Sequence, residues 1–239
     1  MKRRKLVLSL LLFALLVLVT GCNNNEDEVL TDAMKFKNEY ESINGTVREK
    51  DGKTIRSLNI PSDNPMTYAT ARDIIDSIKG KETFVVYFGF SDCPWCRSVI
   101  PTLIDVAKEN NLNEIYYVDV KEIRDVLDLD DNGDVVTTKK GTDDYYELLT
   151  YLNDVLSDYN LTNSSGEIVS TGEKRIFAPN IVSVVNGEAK ELESGVSDKQ
   201  TDPYMELTED MIAEMNYKFK CAIKCVTESR NSCSLEQAC

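Results

Sequence analysis

Two cysteines at the start of a predicted helix are the residues of this chain best placed to do chemistry. They belong to the sequence Cys93-Pro94-Trp95-Cys96. The apolar run of residues 83–90 predicts a buried strand before them, and the spacing of apolar residues from 98 to 110 predicts a helix after them. A cysteine at a helix N-terminus meets free backbone N–H groups and the helix dipole, which lower its pKa by stabilising the thiolate. Two thiols within one helical turn can also close a disulfide, so this spacing predicts a dithiol redox centre.

The two thiols are expected to divide a disulfide-exchange reaction between them. Cys93, at the exposed start of the helix, would attack a substrate disulfide, and Cys96, one turn deeper, would resolve the mixed disulfide by attacking Cys93. Pro94 suits the first helical turn, where its missing N–H costs little, and Trp95 would offer an aromatic face to a substrate chain. A structural disulfide and half of a zinc site are the alternatives that this spacing leaves open.

The first 22 residues have the pattern of an export signal. Residues 2–5 are basic, residues 6–20 are almost entirely apolar, and the run ends in Val19-Thr20-Gly21-Cys22. The apolar run is short for a spanning helix, which needs about 20 such residues. Its end resembles the bacterial lipobox, which implies that residues 1–21 are removed as a lipoprotein signal peptide and that Cys22 is acylated. The alternative is an uncleaved N-terminal anchor with a chance cysteine.

The charge balance is strongly acidic. The chain carries 27 Lys and Arg against 41 Asp and Glu, a net charge of −14, and loss of residues 1–21 would leave 23 against 41, or −18. Anionic headgroups and nucleic acid repel such a surface. We therefore expect attachment to the outer face of the cell membrane through the acyl chains on Cys22, and no binding to nucleic acid.

The other cysteines and the lack of histidine narrow the chemistry. The chain has seven cysteines and no histidine, which excludes serine–histidine and cysteine–histidine nucleophiles. Four cysteines lie near the C-terminus: Cys221, Cys225, Cys233 and Cys239. Nested disulfides, Cys225 with Cys233 and Cys221 with Cys239, would staple the tail to the last helix, and this is one of three possible connectivities. A second redox relay, or a Cys₄ zinc site formed with the first pair, are the alternatives. We expect structural disulfides there, and no metal or other cofactor.

Alternating strands and helices predict a layered α/β fold. Besides the elements around the motif, the spacing of apolar residues predicts helices over residues 29–43, 70–79, 143–159 and about 207–226. Strands are predicted over 54–60, over 115–120 and in a hairpin of 181–185 and 188–192 around Asn186-Gly187. Residues 128–141 are acidic and rich in turn formers, and 160–166 are expected to form a loop. The acidic run starts like a calcium loop, but Lys139 stands where that loop needs a glutamate.

The order of these elements, with two of their motifs, resembles the thioredoxin superfamily. The resemblance covers residues 54–226 and rests on the Cys93–Cys96 motif after a strand and on Phe177-Ala178-Pro179-Asn180 opening a later strand. It implies that the Ala178–Pro179 bond is cis, that this loop packs against the redox pair, and that the backbone of Ala178 faces a substrate strand. Taken alone, Pro179 could equally be an ordinary proline at the start of a strand.

The same resemblance implies a domain organisation. We expect a three-layer α/β/α thioredoxin-like domain over residues 51–228, with a central mixed sheet and a helical insertion at about 121–176. A lipidated tether with a short helix would precede it at 22–50, and a disulfide-stapled tail would follow at 229–239. With its lipobox and tether the chain is similar to membrane-anchored thioredoxin-like lipoproteins of Gram-positive bacteria. Some of those relatives are described as bacteriocin-transport accessory proteins.

One position departs from the family's pattern. Thioredoxins place a buried acid six residues before the first active-site cysteine, where it assists proton transfer from the second, and this chain has Tyr87 there. Asp92, next to Cys93, would raise the pKa of the thiol. The helix dipole and Arg97 would act in the opposite direction.

Together these features predict a thiol–disulfide oxidoreductase outside the cytoplasm, with the direction of electron flow left open. Its partners would be protein thiols or disulfides and a membrane electron donor or acceptor. A second hypothesis is a non-catalytic thioredoxin-like module that assists secretion or bacteriocin export. A third is a structural module stabilised by zinc.

Overall fold

The computed structural model describes residues 29–228. The described residues from Thr31 onward form one compact unit. Predictions for residues 1–28, including the signal peptide and Cys22, and for residues 229–239 lie outside the described residues. None of the helices between these two segments is long and apolar enough to cross a membrane.

Five helices and nine strands make up the described part of the chain. The helices are α1 (Asp32–Glu41), α2 (Ala71–Lys79), α3 (Pro94–Glu109), α4 (Asp143–Leu152) and α5 (Glu209–Thr227). The strands are β1 (Met66–Tyr68), β2 (Phe84–Gly89), β3 (Ile115–Asp119), β4 (Val126–Leu129), β5 (Val135–Lys139), β6 (Ser157–Thr162), β7 (Ile168–Arg175), β8 (Asn180–Val185) and β9 (Glu188–Glu193). The predicted α/β class is confirmed.

A mixed sheet of five strands forms the centre of the fold, as predicted, in the order β1-β3-β2-β8-β9. Strand β3 is parallel to both of its neighbours, whereas β8 is antiparallel to β2 and to β9. Strand β2 lies in the middle, and all six of its residues are buried. Because β2 ends just before the cysteine motif, the motif lies at the end of the central strand.

Helices cover both faces of this sheet, and the residues of β2 alternate between the faces as a pleated strand requires. Val85 and Tyr87 pack in one cluster with α1, α3 and α5, while Val86 and Phe88 pack in another with α2 and α4. Tyr40 of α1 has no exposed surface. Helix α1, which lies within the segment 22–50 expected to form a tether with a short helix, is therefore part of the core.

Two predicted features with strong local signals are confirmed. Helix α2 starts at Thr70, whose hydroxyl accepts a hydrogen bond from the Asp73 N–H while the Asp73 carboxylate accepts one from the Thr70 N–H. It ends at Gly80. The turn between β8 and β9 uses Asn186 and Gly187 with φ of 52° and 77°, the left-handed pair that a tight hairpin needs.

The strand predicted over residues 54–60 is wrong, since none of the named strands includes them. Side chains satisfy the backbone of this segment instead. The Leu58 N–H donates to the Asn44 side-chain oxygen at 2.9 Å, and the Ile60 N–H donates to the Glu41 carboxylate at 2.6 Å. Backbone groups that already have such partners do not need a neighbouring strand.

The prediction that the insertion at about 121–176 is helical is also wrong. The antiparallel hairpin β4–β5 precedes α4 in the chain, and the hairpin β6–β7 follows it; α4 is the single helix of this region. Helix α4 ends at Leu152 rather than at residue 159. The segment 160–166, expected to be a loop, supplies the end of β6 and the turn into β7.

Short polar turns explain both hairpins. The Asp130 carboxylate accepts N–H groups of Asn132 and Asp134 at 2.9 Å, and the Asn163 side chain closes the second turn in the same way. Each turn also contains a glycine with positive φ, 84° at Gly133 and 83° for its counterpart in the second hairpin. The acidic run that began like a calcium loop is thus a hairpin turn.

Candidate redox site

The end of β2 and the start of α3 position the two cysteines of the motif. Cys93 is the N-cap of α3, and its Sγ accepts a hydrogen bond from the Cys96 N–H at 3.3 Å. Pro94 occupies the first helical turn, where no intrahelical donor is lost. The Cys93 N–H donates to the Phe90 carbonyl at 3.2 Å, which fixes the turn out of the sheet. The predicted order of strand, motif and helix is confirmed.

Both cysteines are free thiols, and both are buried. Cys96 has no exposed surface, and Cys93 is only 4% exposed, so the expectation of an exposed Cys93 is wrong. The cover comes from a distant loop, because the Cys93 thiol donates to the Ala178 carbonyl at 3.4 Å. Trp95 is half-buried and packs partly against the core, so it presents only part of its ring to solvent.

The loop that covers Cys93 contains a cis peptide bond between Ala178 and Pro179. The Asn180 side chain accepts the Phe177 N–H at 2.7 Å, across the two residues between them. Pro179 is buried, while Ala178 is half-buried with its carbonyl on the Cys93 thiol. The structure thus brings together the two sequence motifs, 85 residues apart, as the resemblance implied.

The pKa values of the two thiols are shifted in opposite directions. A hydrogen bond from the Cys96 thiol lowers the pKa of Cys93, against the effect of burial, with help from backbone N–H groups and from the charge of Arg124. Burial raises the pKa of Cys96 well above its ordinary value. Cys93 is therefore the thiol that ionises first and can act as a nucleophile, while Cys96 keeps its proton.

Arg97, expected to lower the pKa of Cys93, instead hydrogen-bonds to groups away from the thiols. Its guanidinium is 1% exposed and donates to three carbonyls, those of Arg56, Tyr40 and Ser91, at 2.7 to 2.9 Å. A fourth bond goes to the Asn44 side-chain oxygen at 2.6 Å. All four acceptors are neutral, so Arg97 ties α1 and the following segment to the start of α3.

The cation that acts on Cys93 is Arg124, which follows β3 in the chain. Its guanidinium lies 5.1 Å from the centre of the Phe90 ring, and the ammonium of Lys121 lies 5.9 Å from the same centre. Lys121 also pairs with Asp92 at 2.7 Å. The negative charge that was expected to oppose ionisation of Cys93 is therefore matched by a lysine.

Tyr87 takes the place of the acid beneath the resolving thiol. Its hydroxyl lies 3.4 Å from the hydroxyl of Tyr40, and both side chains are buried. Burial raises the pKa of each phenol well above its ordinary value, so neither can accept a proton at neutral pH. Contact with the Tyr87 hydroxyl opposes the rise in the pKa of Cys96 without overcoming the effect of burial. Tyr87 is therefore a hydrogen-bond donor to a Cys96 thiolate and not a base.

The cysteines of α5 are not available to a metal site. Cys221 and Cys225 are buried and both are disulfide-bonded, as predicted. Cys233 and Cys239, their predicted partners, lie outside the described residues. The alternative zinc site would need Cys221 and Cys225 as thiolates, and a disulfide-bonded cysteine is not a thiolate. Within residues 29–228 no group of three or more His, Cys, Asp or Glu could hold a metal ion.

Sequence reasoning missed two residues of the site, Tyr40 and Arg124. The helical spacing of Phe36 and Tyr40 indicated that α1 has an apolar face. It did not indicate which surface that face covers. Arg124 carried no signal, because its neighbours in the site come from other parts of the chain.

No protein-family model matches this sequence, and no curated protein is similar enough to count as a relative. The functional argument therefore rests on the site itself.

Proposed function

We propose that this protein is a thiol–disulfide oxidoreductase that exchanges protein disulfides through Cys93 and Cys96. The observation that carries the proposal is a pair of free thiols within one helical turn whose pKa values are shifted apart. A nucleophile that ionises easily beside a thiol that keeps its proton is what a two-step exchange requires.

The reaction proceeds through a mixed disulfide. The Cys93 thiolate attacks one sulfur of a substrate disulfide, forms a bond to it and expels the other sulfur as a thiolate. Cys96 then loses its proton and attacks the Cys93 sulfur, which releases the second substrate thiolate and leaves a Cys93–Cys96 disulfide. Two electrons have passed from the protein to the substrate, and the reverse sequence oxidises a substrate dithiol. A membrane electron donor or acceptor would restore the starting state of the pair.

The loop of Ala178 and Pro179 is proposed to receive the substrate chain. Pro179 lacks a backbone donor, and the Ala178 carbonyl is taken by the Cys93 thiol only while that thiol is protonated. Ionisation of Cys93 frees this carbonyl to accept an N–H from a substrate strand. A thioredoxin-like arrangement is supported by the position of this loop, by the sheet order and by the helix that starts at the motif.

Anchoring to the outer face of the cell membrane is part of the same proposal. It rests on the lipobox-like sequence that ends at Cys22. The oxidised state of Cys221 and Cys225 supports a compartment outside the cytoplasm, because disulfides persist there. A Cys22→Ser variant should leave the membrane fraction of the producing cells, while the wild-type protein stays in it.

Reduction of insulin by dithiothreitol, with and without the protein, tests the activity. We expect the wild-type protein to accelerate the reduction and Cys93→Ser to abolish the acceleration. Cys96→Ser should accumulate a mixed disulfide with the substrate, visible by mass spectrometry and released by excess thiol. A wild-type rate equal to that of dithiothreitol alone would refute the proposal.

A non-catalytic accessory module is the second candidate. The burial of Cys93 and the lack of a base at position 87 favour it, because the first limits access to the nucleophile and the second leaves Cys96 without a proton acceptor. Such a module would bind its partner equally well with Cys93→Ser and Cys96→Ser combined. An oxidoreductase would lose the covalent part of its binding in the same variant.

A further inference from the structure

A groove begins beside the redox motif and runs toward the segment that follows α1. Its wide part, about 600 Å³, is lined by side chains of residues 43–55 and by Asp92. A shallower part, with no room for a water molecule below the surface, is lined by Pro94, Arg56 and Tyr204, among others. Ile55 and Asp92 line both parts, so the two form one continuous surface, here called the Pro94 groove. Pro94 directly follows the nucleophilic cysteine, which makes this groove the flank of the reaction site.

The shallower part of the Pro94 groove has a positive floor. The Arg56 guanidinium donates to the carbonyls of Pro203 and Met205, at 3.2 Å for the first, and Arg97 donates only to neutral acceptors. Among the described residues neither arginine has a carboxylate within ion-pair distance. Two positive charges therefore stand beneath this surface without a negative partner.

The other charges of the Pro94 groove leave a positive balance. Asp92 is paired with Lys121, and Arg48 is paired with Asp51, so these charges cancel locally. Lys50 and Glu49, both exposed, remain at the rim of the wide part. With the two arginines of the floor, the groove is positive in a chain whose net charge is −14. A cleft concentrates the field of such charges and draws in groups of opposite sign.

We propose that the Pro94 groove binds an acidic segment of the polypeptide whose disulfide Cys93 attacks. The inference rests on the proposed function and adds a substrate class to it. A substrate chain joined to Cys93 must place the residues next to its own cysteine over the neighbouring surface. On the Pro94 side that surface is positive, so carboxylates near the substrate cysteine are attracted and ammonium groups are repelled.

Three peptides that differ only in charge test this inference. Each carries one cysteine activated as a 2-thiopyridyl disulfide, flanked by three Glu, three Gln or three Lys residues. The Cys93 thiolate attacks the peptide sulfur and releases 2-thiopyridone, and in the Cys96→Ser variant the reaction stops at the mixed disulfide. We expect the Glu peptide to react about three- to tenfold faster than the Gln peptide at low salt, and the Lys peptide to react slowest. Salt at about 0.5 M should bring the three rates together.

Charge variants locate the effect in the groove. Lys50→Gln, in the Cys96→Ser background, should slow the Glu peptide about two- to fourfold and leave the Gln peptide unchanged. Lys220→Gln is the matched control, because it removes the same charge from a separate cleft beside α5. Equal effects of the two variants, or equal rates for the Glu and Gln peptides in the parent protein, would overturn the inference.

A small neutral reagent separates failure of the inference from failure of the proposed function. If 2,2′-dithiodipyridine reacts rapidly with Cys93 while the peptides show no order by charge, only the acidic substrate class is wrong. If Cys93 reacts no faster than free cysteine with the reagent and with all peptides, the proposed function is wrong, and the inference falls with it.

Discussion

The hydroxyl of Tyr87 lies 3.4 Å from the hydroxyl of Tyr40, in the core beneath the thiol of Cys96. Tyr87 comes from the central strand β2, and Tyr40 comes from α1, the helix within the predicted tether segment 22–50. The second step of disulfide exchange needs a Cys96 thiolate, and burial raises the pKa of Cys96. The Tyr87 phenol can stabilise this thiolate by donating to it, whereas neither phenol can take its proton.

Replacing Tyr87 should slow the resolving step and leave the attacking step intact. Tyr87→Phe removes the donor, so the pKa of Cys96 should rise further. We expect release of the peptide thiol from the mixed disulfide to slow about three- to tenfold near pH 7, an effect of about 1 kcal/mol. Release of 2-thiopyridone by Cys93 should not change. Both releases can be followed in one stopped-flow experiment with a 2-thiopyridyl peptide.

Tyr40→Phe provides the control for that prediction. It removes the hydroxyl that pairs with Tyr87 but keeps the Tyr87 donor near Cys96. We expect a loss of stability of about 1 kcal/mol in each variant, measured by urea unfolding, and slow resolution only in Tyr87→Phe. Equal slowing in both variants would show that disturbed packing, and not the Tyr87 donor, controls the second step.

The reactivity of Cys93 should depend on the charge of Arg124. Because the pKa of Cys93 is lowered, its alkylation by iodoacetamide should begin at a lower pH than that of an ordinary thiol. Arg124→Gln should move the midpoint of the alkylation profile to higher pH, and Arg124→Lys should keep it close to that of the wild type. Cys96, buried and with a raised pKa, should stay unmodified. An unchanged midpoint in Arg124→Gln would contradict the role of this cation.

The stability of the fold should fall as the pH rises toward the pKa of the Glu193 carboxyl. Burial raises the pKa of this carboxyl to about 7, with a smaller contribution from Glu191, and Lys218 acts in the opposite direction. Between about pH 4.5 and 7 the folded protein holds a proton that the unfolded chain has lost, so the free energy of unfolding decreases with pH there. The effect is about 1 to 2 kcal/mol once solvent screening is allowed for.

Glu193→Gln should therefore raise the melting temperature at about pH 8 and have little effect at about pH 5. Glu188→Gln, at the exposed start of the same strand, is the matched control. Its carboxyl is held in the ionised form by Lys190, so no stabilisation is expected from it at either pH. A pH-independent gain from Glu193→Gln would mean that the Glu193 carboxyl does not titrate in this range.

Local signals made the centre of the fold predictable, and non-local contacts made the rest unpredictable. The strand before Cys93 and the helix after it follow from apolar spacing and from Pro94 in the first helical turn, all within one segment. Tyr40 and Arg124 reach the site only through packing of distant elements, which no local pattern encodes. The partner loop at Ala178 was accessible only through a family resemblance.

The segment 121–176 also shows that local sequence patterns do not predict which residues pair as strands. Strand β6 alternates exposed and half-buried residues, and its polar composition hid that period. The turns of Asp130 and Asn163 are local signals of an acidic turn region and a loop, but they do not indicate that the residues on either side pair as strands. Apolar residues at 155 and 156 continue the helical spacing past Leu152, so the spacing predicts a helix that runs to residue 159. Their burial comes from packing against the other core residues, and not from a longer helix.

Removing Arg97 should destabilise the protein far more than removing a surface arginine. Its four hydrogen bonds end on neutral groups of α1, of the next segment and of the turn before Cys93, so Arg97→Met leaves several buried acceptors without a donor. We expect a loss of about 3 kcal/mol or more in urea unfolding. Arg97→Lys should recover little of it, since an ammonium cannot reproduce the planar fork of donors. Arg72→Met, which breaks exposed ion pairs with Asp144 and Glu147, should cost far less, because solvent screens these charges. Similar losses in Arg97→Met and Arg72→Met would contradict the structural role of the buried guanidinium.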